Sequence, residues 1–137
     1  MKVGFTGTRT GLSVVQIVEL SKFLDHPSYT EFHHGDCIGA DEMAHDIAKH
    51  ALLRIVIHPP ENDRLRAFCK VSEHGHIHIP RDYLERNHKI VDDTELLVAC
   101  PAQMREEKRS GTWATVRYAR SQGKKVIILW PREQEEK

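Results

Sequence analysis

The sequence predicts an α/β fold in a single domain: a doubly wound, mostly parallel sheet with helices on both faces. Short apolar runs rich in Val, Ile and Leu alternate with longer segments whose apolar residues recur at helical spacing. Several runs, such as LRIVIH at 53–58 and TELLVAC at 94–100, are apolar almost throughout, which is typical of strands buried in a parallel sheet. The length of 137 residues suits one domain of ordinary size.

The amino-terminal part predicts a strand followed by a helix. VGF at 3–5 is a short apolar run, and TGTRTG at 6–11 closes it with turn-forming residues. The segment LSVVQIVELSKFL at 12–24 predicts a helix because its apolar residues recur at helical spacing. The residues of this apolar stripe are Val14, Ile17, Val18 and Leu24.

A second strand and a second helix follow. YTEFHHG at 29–35 predicts the strand, and CIGADEMAHDIAKHA at 37–51 predicts the helix. The apolar stripe of this helix comprises Ala40, Met43, Ala44, Ile47, Ala48 and Ala51. The third strand, at 53–58, stops at Pro59, since proline cannot donate to a strand ladder.

The pattern is weakest between Glu61 and Pro80. A helix is predicted around NDRLRAFCK at 62–70, and HGHIHIP at 74–80 alternates like a short strand or an extended loop. After it, RDYLERNHKIVDD at 81–93 predicts a helix that leads into the buried strand TELLVAC.

The carboxyl-terminal part predicts one more helix and one more strand. GTWATVRYARSQ at 111–122 predicts a helix that Gly123 ends, and KKVIILW at 124–130 predicts a last buried strand. We expect the domain to span residues 1–131 and residues 132–137 to form a solvated tail.

Composition argues against several classes of protein. Twenty basic and twenty acidic residues cancel, so the chain lacks the basic field with which sequence-independent nucleic-acid binders neutralise phosphates. The three cysteines are far apart and form no C-x-x-C pair, which argues against a disulfide framework and suits a reducing cytosol. The sequence carries no signal-peptide pattern and no apolar stretch of about 18 residues, so we expect a cytoplasmic protein without a membrane span.

Three junctions between a strand and the next helix are rich in glycine and small polar residues: TGTRTG at 6–11, GDCIGAD at 35–41 and RSGT at 109–112. In a parallel sheet such loops converge outside the carboxyl ends of the strands, where ligands bind. Arg9 offers a planar fork of donors for phosphate, and free amides at a helix start attract anions. Each loop alone could be explained by turns and caps. Together they predict a site for an anionic ligand.

Two polar residues lie on the apolar stripe of the helix predicted at 81–93. Arg86 and Asn87 each fall three or four residues from apolar positions, which places them away from the solvated face. An arginine on the buried side needs an anionic partner. The partner could be an internal carboxylate such as Asp92 or Asp93, or a ligand phosphate, and we favour the ligand.

Asp41 and His45 are four residues apart and share a helix face. They could hold a ribose hydroxyl or act as an acid/base pair; alternatively, Asp41 caps the helix and His45 packs at a boundary. Cys37 could be a thiol of lowered pKa, although a small packing residue is the interpretation we favour.

The histidines at 74, 76 and 78 alternate, so in a strand they would face one way and could ligate a metal. Since no carboxylate or thiolate stands near them in a fixed pattern, we interpret them as surface residues. No metal site and no resident cofactor are expected from the sequence.

An ordered set of motifs resembles the SLOG superfamily, which joins the Smf/DprA and LOG (Lonely Guy) proteins. The motifs are GTR after the first strand, GADEMAH at 39–45, RN at 86–87, the apolar strand before SGT, and GKKVIILWP at 123–131. The set spans nearly the whole chain and is most similar to the small single-domain YspA-like proteins of bacteria and phages. The resemblance implies a Rossmann-like fold, a nucleotide or nucleotide-derived ligand over the glycine loops, and a homodimer.

The loop at 109–115 separates two branches of this superfamily. LOG phosphoribohydrolases carry P-G-G-x-G-T-x-x-E with a catalytic Glu, whereas RSGTWAT places Thr115 at that position. Threonine cannot act as that carboxylate, so the resemblance does not extend to LOG-type hydrolysis. The loop is instead similar to the SG-S/T-x-x-T-A loop of the DprA branch, which binds single-stranded DNA.

We therefore expect a protein that binds a nucleotide or nucleotide-derived phosphate ligand at the carboxyl ends of the strands, as a sensor or carrier. One alternative is an N-glycosidase or phosphoribohydrolase acting on a nucleoside monophosphate, with Asp36 or Asp41 as the catalytic carboxylate. Another is DprA-type binding of single-stranded DNA with Trp113 as a stacking surface, although the helical position of Trp113 favours core packing. The expected ligand-binding residues are Gly7, Thr8, Arg9, Gly35, Asp36, Gly39, Asp41, Arg86, Asn87, Ser110, Gly111 and Thr112.

Overall fold

The computed structural model describes residues 1–133, and within them it contains six strands and four α-helices. The strands are β1 (Lys2–Gly7), β2 (Glu31–His34), β3 (Arg54–Ile57), β4 (His76–Ile77), β5 (Leu96–Cys100) and β6 (Lys125–Ile128). The helices are α1 (Val14–Leu24), α2 (Ala40–His50), α3 (Tyr83–Asp92) and α4 (Gly111–Ser121).

The six strands form one parallel sheet in the order β4-β3-β2-β1-β5-β6. The chain builds outward from β1 to β4 and then crosses to the other side of β1 to add β5 and β6. The strand order therefore reverses between β1 and β5. In doubly wound sheets, ligands bind in the crevice that opens at this reversal.

The helices cover both faces of the sheet. On one face, α1 and α2 enclose a core that includes Phe5 and Phe32, and on the other face α3 and α4 enclose a core that includes Leu97 and Val116. This arrangement confirms the predicted single-domain α/β fold.

Local sequence explains where several helices begin and end. Ser13 and Gln16 form a capping box at the start of α1, Asp82 caps α3, and Ser110 caps α4. Gly123 has a φ of 71°, a left-handed conformation that ends α4 as predicted.

The predicted apolar stripe of α1 is partly wrong. Val14 and Val18 are 76% and 43% exposed, whereas Gln16 and Leu24 are buried. The side-chain amide of Gln16 donates a hydrogen bond to the Pro101 carbonyl at 2.8 Å. This buried bond turns the Gln16 face of α1 toward the sheet, and no hydrophobic pattern signals it.

The helix predicted at 62–70 is also wrong, because this segment forms only a 3-10 turn at Asp63–Leu65. The carboxylate of Asp36 accepts hydrogen bonds from Arg66 Nε and from the Cys69 amide, both at 2.9 Å. These long-range bonds hold the segment extended and replace the hydrogen bonds of a helix.

The edge strand, the cysteines and the end of the described chain bear on the remaining predictions. Within the alternating segment at 74–80, His76 and Ile77 form the short edge strand β4. All three cysteines are free. No helix within residues 1–133 is long and apolar enough to cross a bilayer. In the predicted tail, Arg132 and Glu133 are exposed, and residues 134–137 lie outside the described part of the chain.

Candidate functional site

A cavity of about 530 Å³ opens at the carboxyl ends of β1 and β5, where the strand order reverses. Its walls are the loop after β1, the start of α2, the inner face of α3, and the loop that leads from β5 into α4. Its volume falls within the roughly 300–1,000 Å³ of small-molecule pockets.

Ten of the twelve residues predicted to bind a ligand line this cavity. They are Gly7, Thr8, Arg9, Gly35, Asp41, Arg86, Asn87, Ser110, Gly111 and Thr112. The three glycine-rich junctions therefore come together at one edge of the sheet.

Asp36 and Gly39 do not line the cavity. Asp36 has no exposed surface, and its carboxylate bonds to Arg66 and Cys69 occupy it, so it anchors the loop after β3 and is not available to a ligand. Gly39 has a φ of 90°, and a Cβ there would overlap the Arg9 carbonyl. The absence of a side chain at Gly39 allows the loop before α2 to approach the loop after β1.

Arg86 lies on the inner face of α3 and is only 6% exposed. Its guanidinium donates to the Gly35 carbonyl at 2.5 Å and to Asn87 Oδ1 at 2.7 Å. A Cβ at Gly35 would overlap this guanidinium, so the glycine makes room for the charge.

None of the carboxylates in residues 1–133 forms an ion pair with Arg86. Asp92 accepts a hydrogen bond from Tyr118 at 2.7 Å, and Asp93 pairs with Lys89 at 2.9 Å. The proposed internal partners, Asp92 and Asp93, are therefore wrong. Because a buried charge without a counter-ion is costly, this cation is suited to an anion in the cavity.

The start of α4 supplies free amides at the same cavity. The Ser110 hydroxyl accepts a hydrogen bond from the Trp113 amide at 3.3 Å, so it is already in use as a cap. The amides of Gly111 and Thr112 find no acceptor in the described part of the chain. Amides at a helix start carry partial positive charge, which favours an anion.

Asp41 is the buried carboxyl of the cavity and is 8% exposed. Burial raises its pKa from 3.8 to about 6, while the charge of Arg86 and a hydrogen bond from the Cys37 amide at 3.2 Å act to lower it. A carboxyl that titrates near neutral pH can exchange protons with a ligand, so Asp41 is a candidate acid or base.

His45 does not join Asp41 at the cavity. It is buried, and its Nδ1 lies 2.9 Å from Nε2 of His34, so the boundary-packing alternative is the one that the structure supports. Burial raises the pKa of the Cys37 thiol, which agrees with a packing residue and not with a reactive thiolate.

Two residues of α4 bear on the alternative functions. Trp113 is 3% exposed and packs in the core, so it offers no stacking surface to a base. Thr115 is buried and donates a hydrogen bond to the Gly111 carbonyl at 2.9 Å. The position of the LOG acid thus holds a hydroxyl that is bonded within the helix.

The cavity also contains residues outside the twelve that were expected to bind a ligand. They are Phe5, Thr6, Cys37, Leu65, Tyr83, Ile90, Ala102, Glu107 and Arg109. Thr6, Cys37 and Arg109 belong to the three glycine-rich junctions that the sequence already indicated. Glu107 lies earlier in the loop after β5, and considering that whole loop would have found it. Leu65 comes from the weakly patterned segment after β3 and had no sequence signal.

Charge in the cavity favours an anion. Three arginines, Arg9, Arg86 and Arg109, stand against two carboxyls, Asp41 and Glu107. Two groups of His, Cys and acidic residues within residues 1–133 lie close enough to hold a metal ion, and neither group lines this cavity.

No protein-family model matches the chain, and no curated protein matches it in sequence. Solved structures do match its fold. The molybdenum cofactor binding protein of Rippkaea orientalis is 20% identical with a TM-score of 0.69, over 96% of this chain and 78% of its own. The molybdenum cofactor carrier protein of Chlamydomonas reinhardtii is 21% identical with a TM-score of 0.64, over 93% and 76%.

A third match is DNA processing protein A of Helicobacter pylori, which binds single-stranded DNA. It is 18% identical with a TM-score of 0.69, over 99% of this chain and 67% of its own. These likenesses, all at about a fifth identity, show a shared Rossmann-like fold. The chain thus has the Rossmann-like fold that its resemblance to the SLOG superfamily implies.

Proposed function

We propose that the protein binds a nucleotide or nucleotide-derived small molecule through its phosphate, in the cavity at the carboxyl ends of β1 and β5, and holds it unchanged as a sensor or carrier. One observation carries the proposal. Among residues 1–133, the buried guanidinium of Arg86 has no carboxylate partner and the amides of Gly111 and Thr112 have no acceptor, and all three residues line the same cavity. A phosphate would satisfy both kinds of donor at once.

The other loops fit the rest of such a ligand. Arg9 and Thr8 would contact one end of it, and Asp41 would accept hydrogen bonds from sugar hydroxyls beside Gly35. The volume of about 530 Å³ suits a small molecule. Two of the structural neighbours bind or carry the molybdenum cofactor, which supports small-molecule carriage on this fold.

Asp41 favours a second candidate function, cleavage of a nucleoside monophosphate into base and sugar phosphate. Its pKa of about 6 and its place in the cavity suit a carboxyl that stabilises positive charge at the sugar. Thr115, in place of the LOG acid, argues against this candidate. Stacking of DNA bases on Trp113 is not retained, because that side chain is buried.

Native mass spectrometry separates the two candidates. The purified protein is incubated with nucleoside mono-, di- and triphosphates, cyclic nucleotides and ADP-ribose derivatives. We expect one compound to be retained intact. Free base with sugar phosphate would establish an enzyme, and no bound mass with any compound would contradict both candidates. The same spectra report the number of subunits, and we propose that the protein is a homodimer. We also propose that it is located in the cytoplasm.

Gly111→Pro is a specific test of the amide donors, because it removes one N–H at the first position of α4. Proline is well tolerated there, and Ser110 has φ and ψ of −86° and 132°, which suit a residue that precedes proline. A hydrogen bond to a charged group is worth about 1.5–3 kcal/mol, so titration calorimetry with the retained compound should show affinity weakened about 10- to 100-fold.

Gly111→Ala is the matched control, since it keeps the amide and its Cβ would meet nothing within 4 Å. We expect this variant to bind almost as well as the parent protein. Equal affinities of the proline and alanine variants would show that the amide does not contact the ligand.

A further inference from the structure

A second cavity, of about 400 Å³, lies on the face of the sheet that carries α3 and α4. Side chains of β2, β3 and the β4 segment line it, together with Asp92 and Asp93 at the end of α3. It shares no residue with the cavity at the carboxyl ends of β1 and β5, so a site here is independent of the proposed phosphate ligand.

Three side chains beside this cavity, those of Glu31, His33 and His58, are linked in a row by hydrogen bonds. Glu31 Oε1 lies 3.0 Å from Nε2 of His33, so the carboxylate fixes the His33 proton on Nε2 and leaves Nδ1 as an acceptor. That Nδ1 lies 2.9 Å from Nε2 of His58. The other nitrogen of His58, Nδ1, is buried and has no partner among the described residues.

A carboxylate oxygen of Asp93 lies close to the His33 and His58 nitrogens. One of its oxygens pairs with Lys89 at 2.9 Å, and the nearest basic atom to the other is Nε2 of His78, at 3.9 Å. One ligand atom from each of His33, His58 and Asp93 lies within 4.8 Å of the others.

We propose that His33, His58 and Asp93 form a binding site for a divalent transition-metal ion of the Zn²⁺ class, with a fourth coordination position open to the second cavity. Two imidazoles and one carboxylate are a donor set that Zn²⁺ accepts, and three protein ligands with one open position are typical of accessible zinc sites.

The surroundings of His33 and His58 fit this assignment. A carboxylate that accepts the second N–H of a ligating histidine is the usual outer partner in zinc sites, and Glu31 holds that position for His33. His78 stacks on the His58 ring at 4.3 Å, which fixes the plane of that ring.

Metal entry requires the His33 and His58 rings to move slightly apart and to turn their ligating nitrogens toward the ion. The His33 and His58 nitrogens are 2.9 Å apart, and two nitrogens on one tetrahedral zinc ion stand about 3.3 Å apart. His58 keeps a single proton, which passes from Nε2 to the unpartnered Nδ1. The ion therefore replaces one hydrogen bond, and no net proton is released.

The other group of possible ligands, His34, His45 and Cys69, is already satisfied by hydrogen bonds. The Asp36 amide donates to Nδ1 of His34 at 3.0 Å, so the proton of neutral His34 is on Nε2 and points to His45 at 2.9 Å. A nitrogen that carries this proton cannot bind a metal.

The test titrates chelator-treated full-length protein with Zn²⁺ by calorimetry and with Co²⁺ by visible absorption. We expect one ion per chain, with Co²⁺ d–d bands of low coordination number and no thiolate charge-transfer band. Asp93→Asn and Glu31→Gln should each weaken Zn²⁺ binding about 10-fold or more. Thermal unfolding without metal verifies that each variant is folded.

Two control variants separate this site from others. Cys69→Ser alters the second group, and His74→Gln removes an exposed histidine outside the cluster. Both should bind Zn²⁺ as the parent protein does. The proposal is overturned if Asp93→Asn keeps the parent affinity, if Cys69→Ser loses it, or if the parent protein binds neither ion.

Discussion

Arg86→Met is expected to weaken binding of the phosphate ligand at least about 30-fold. The side chain is 6% exposed and has no carboxylate partner among the described residues, so the ligand phosphate would be its counter-ion. Removing one member of a buried, hydrogen-bonded charge pair costs about 2–5 kcal/mol, which is a loss of roughly 30- to several thousand-fold in affinity. Titration calorimetry with the compound retained in the native spectra measures this loss.

The stability of Arg86→Met should change much less than its affinity. The substitution leaves the Gly35 carbonyl without a donor, which costs about 1–3 kcal/mol, but it also removes a buried charge that the free protein must tolerate. Arg86→Lys keeps the charge without the planar fork and should bind with intermediate affinity.

Arg120→Ala is the matched control for charge, because Arg120 is exposed at the end of α4, outside the cavity. It should bind like the parent protein. Parent-like binding by Arg86→Met would remove the principal support for the proposed function.

Asp41→Asn is expected to stabilise the protein at neutral pH and not at acidic pH. The folded state raises the pKa of Asp41 from 3.8 to about 6 by burial, so ionising this carboxyl in the folded protein costs on the order of 3 kcal/mol. Asparagine resembles the protonated carboxyl and keeps an acceptor for the Cys37 amide. It therefore removes the cost of ionisation and keeps the hydrogen bond.

The raised pKa determines the direction of the pH dependence. The contribution of Asp41 to stability is fully present below pH 3.8 and is lost as the pH rises through about 6. In thermal unfolding, the Tm of Asp41→Asn should match the parent near about pH 4 and exceed it by roughly 5–10 °C near about pH 7.5. A variant that is less stable than the parent at neutral pH, or a difference independent of pH, would show that Asp41 is not held against its ionised form.

Much of the fold could be predicted from local sequence. Buried parallel strands have to be apolar on both faces, so β5 is visible as a continuous apolar run. The run at 124–130 also forms a strand, β6, but the prediction that it is buried is wrong, because β6 lies at the edge of the sheet and its residues are exposed or only partly buried. Ser110 and Gly123 mark the two ends of α4 through capping chemistry that acts within a few residues. The three loops that line the cavity could also be found locally, because each is rich in glycine and small polar residues.

The sequence-based predictions were wrong where a single polar side chain makes hydrogen bonds to residues distant in the sequence. Asp36 lies in a glycine-rich loop like that of a ligand site, but its carboxylate holds Arg66 and Cys69 from a segment some thirty residues away. The Gln16 amide similarly determines which face of α1 is buried. Such bonds leave no periodic trace in the sequence, so neither the loop at 62–70 nor the role of Asp36 could be predicted.

The most direct test of the proposed function is a crystal structure of the protein with the compound that native mass spectrometry finds bound. We expect the phosphate at the start of α4, within hydrogen-bond distance, about 2.7–3.2 Å, of the Arg86 guanidinium and of the Gly111 or Thr112 amide. We also expect a ligand with its glycosidic bond intact. A phosphate bound elsewhere on the protein, with Arg86 still lacking an anionic partner, would contradict the proposed function.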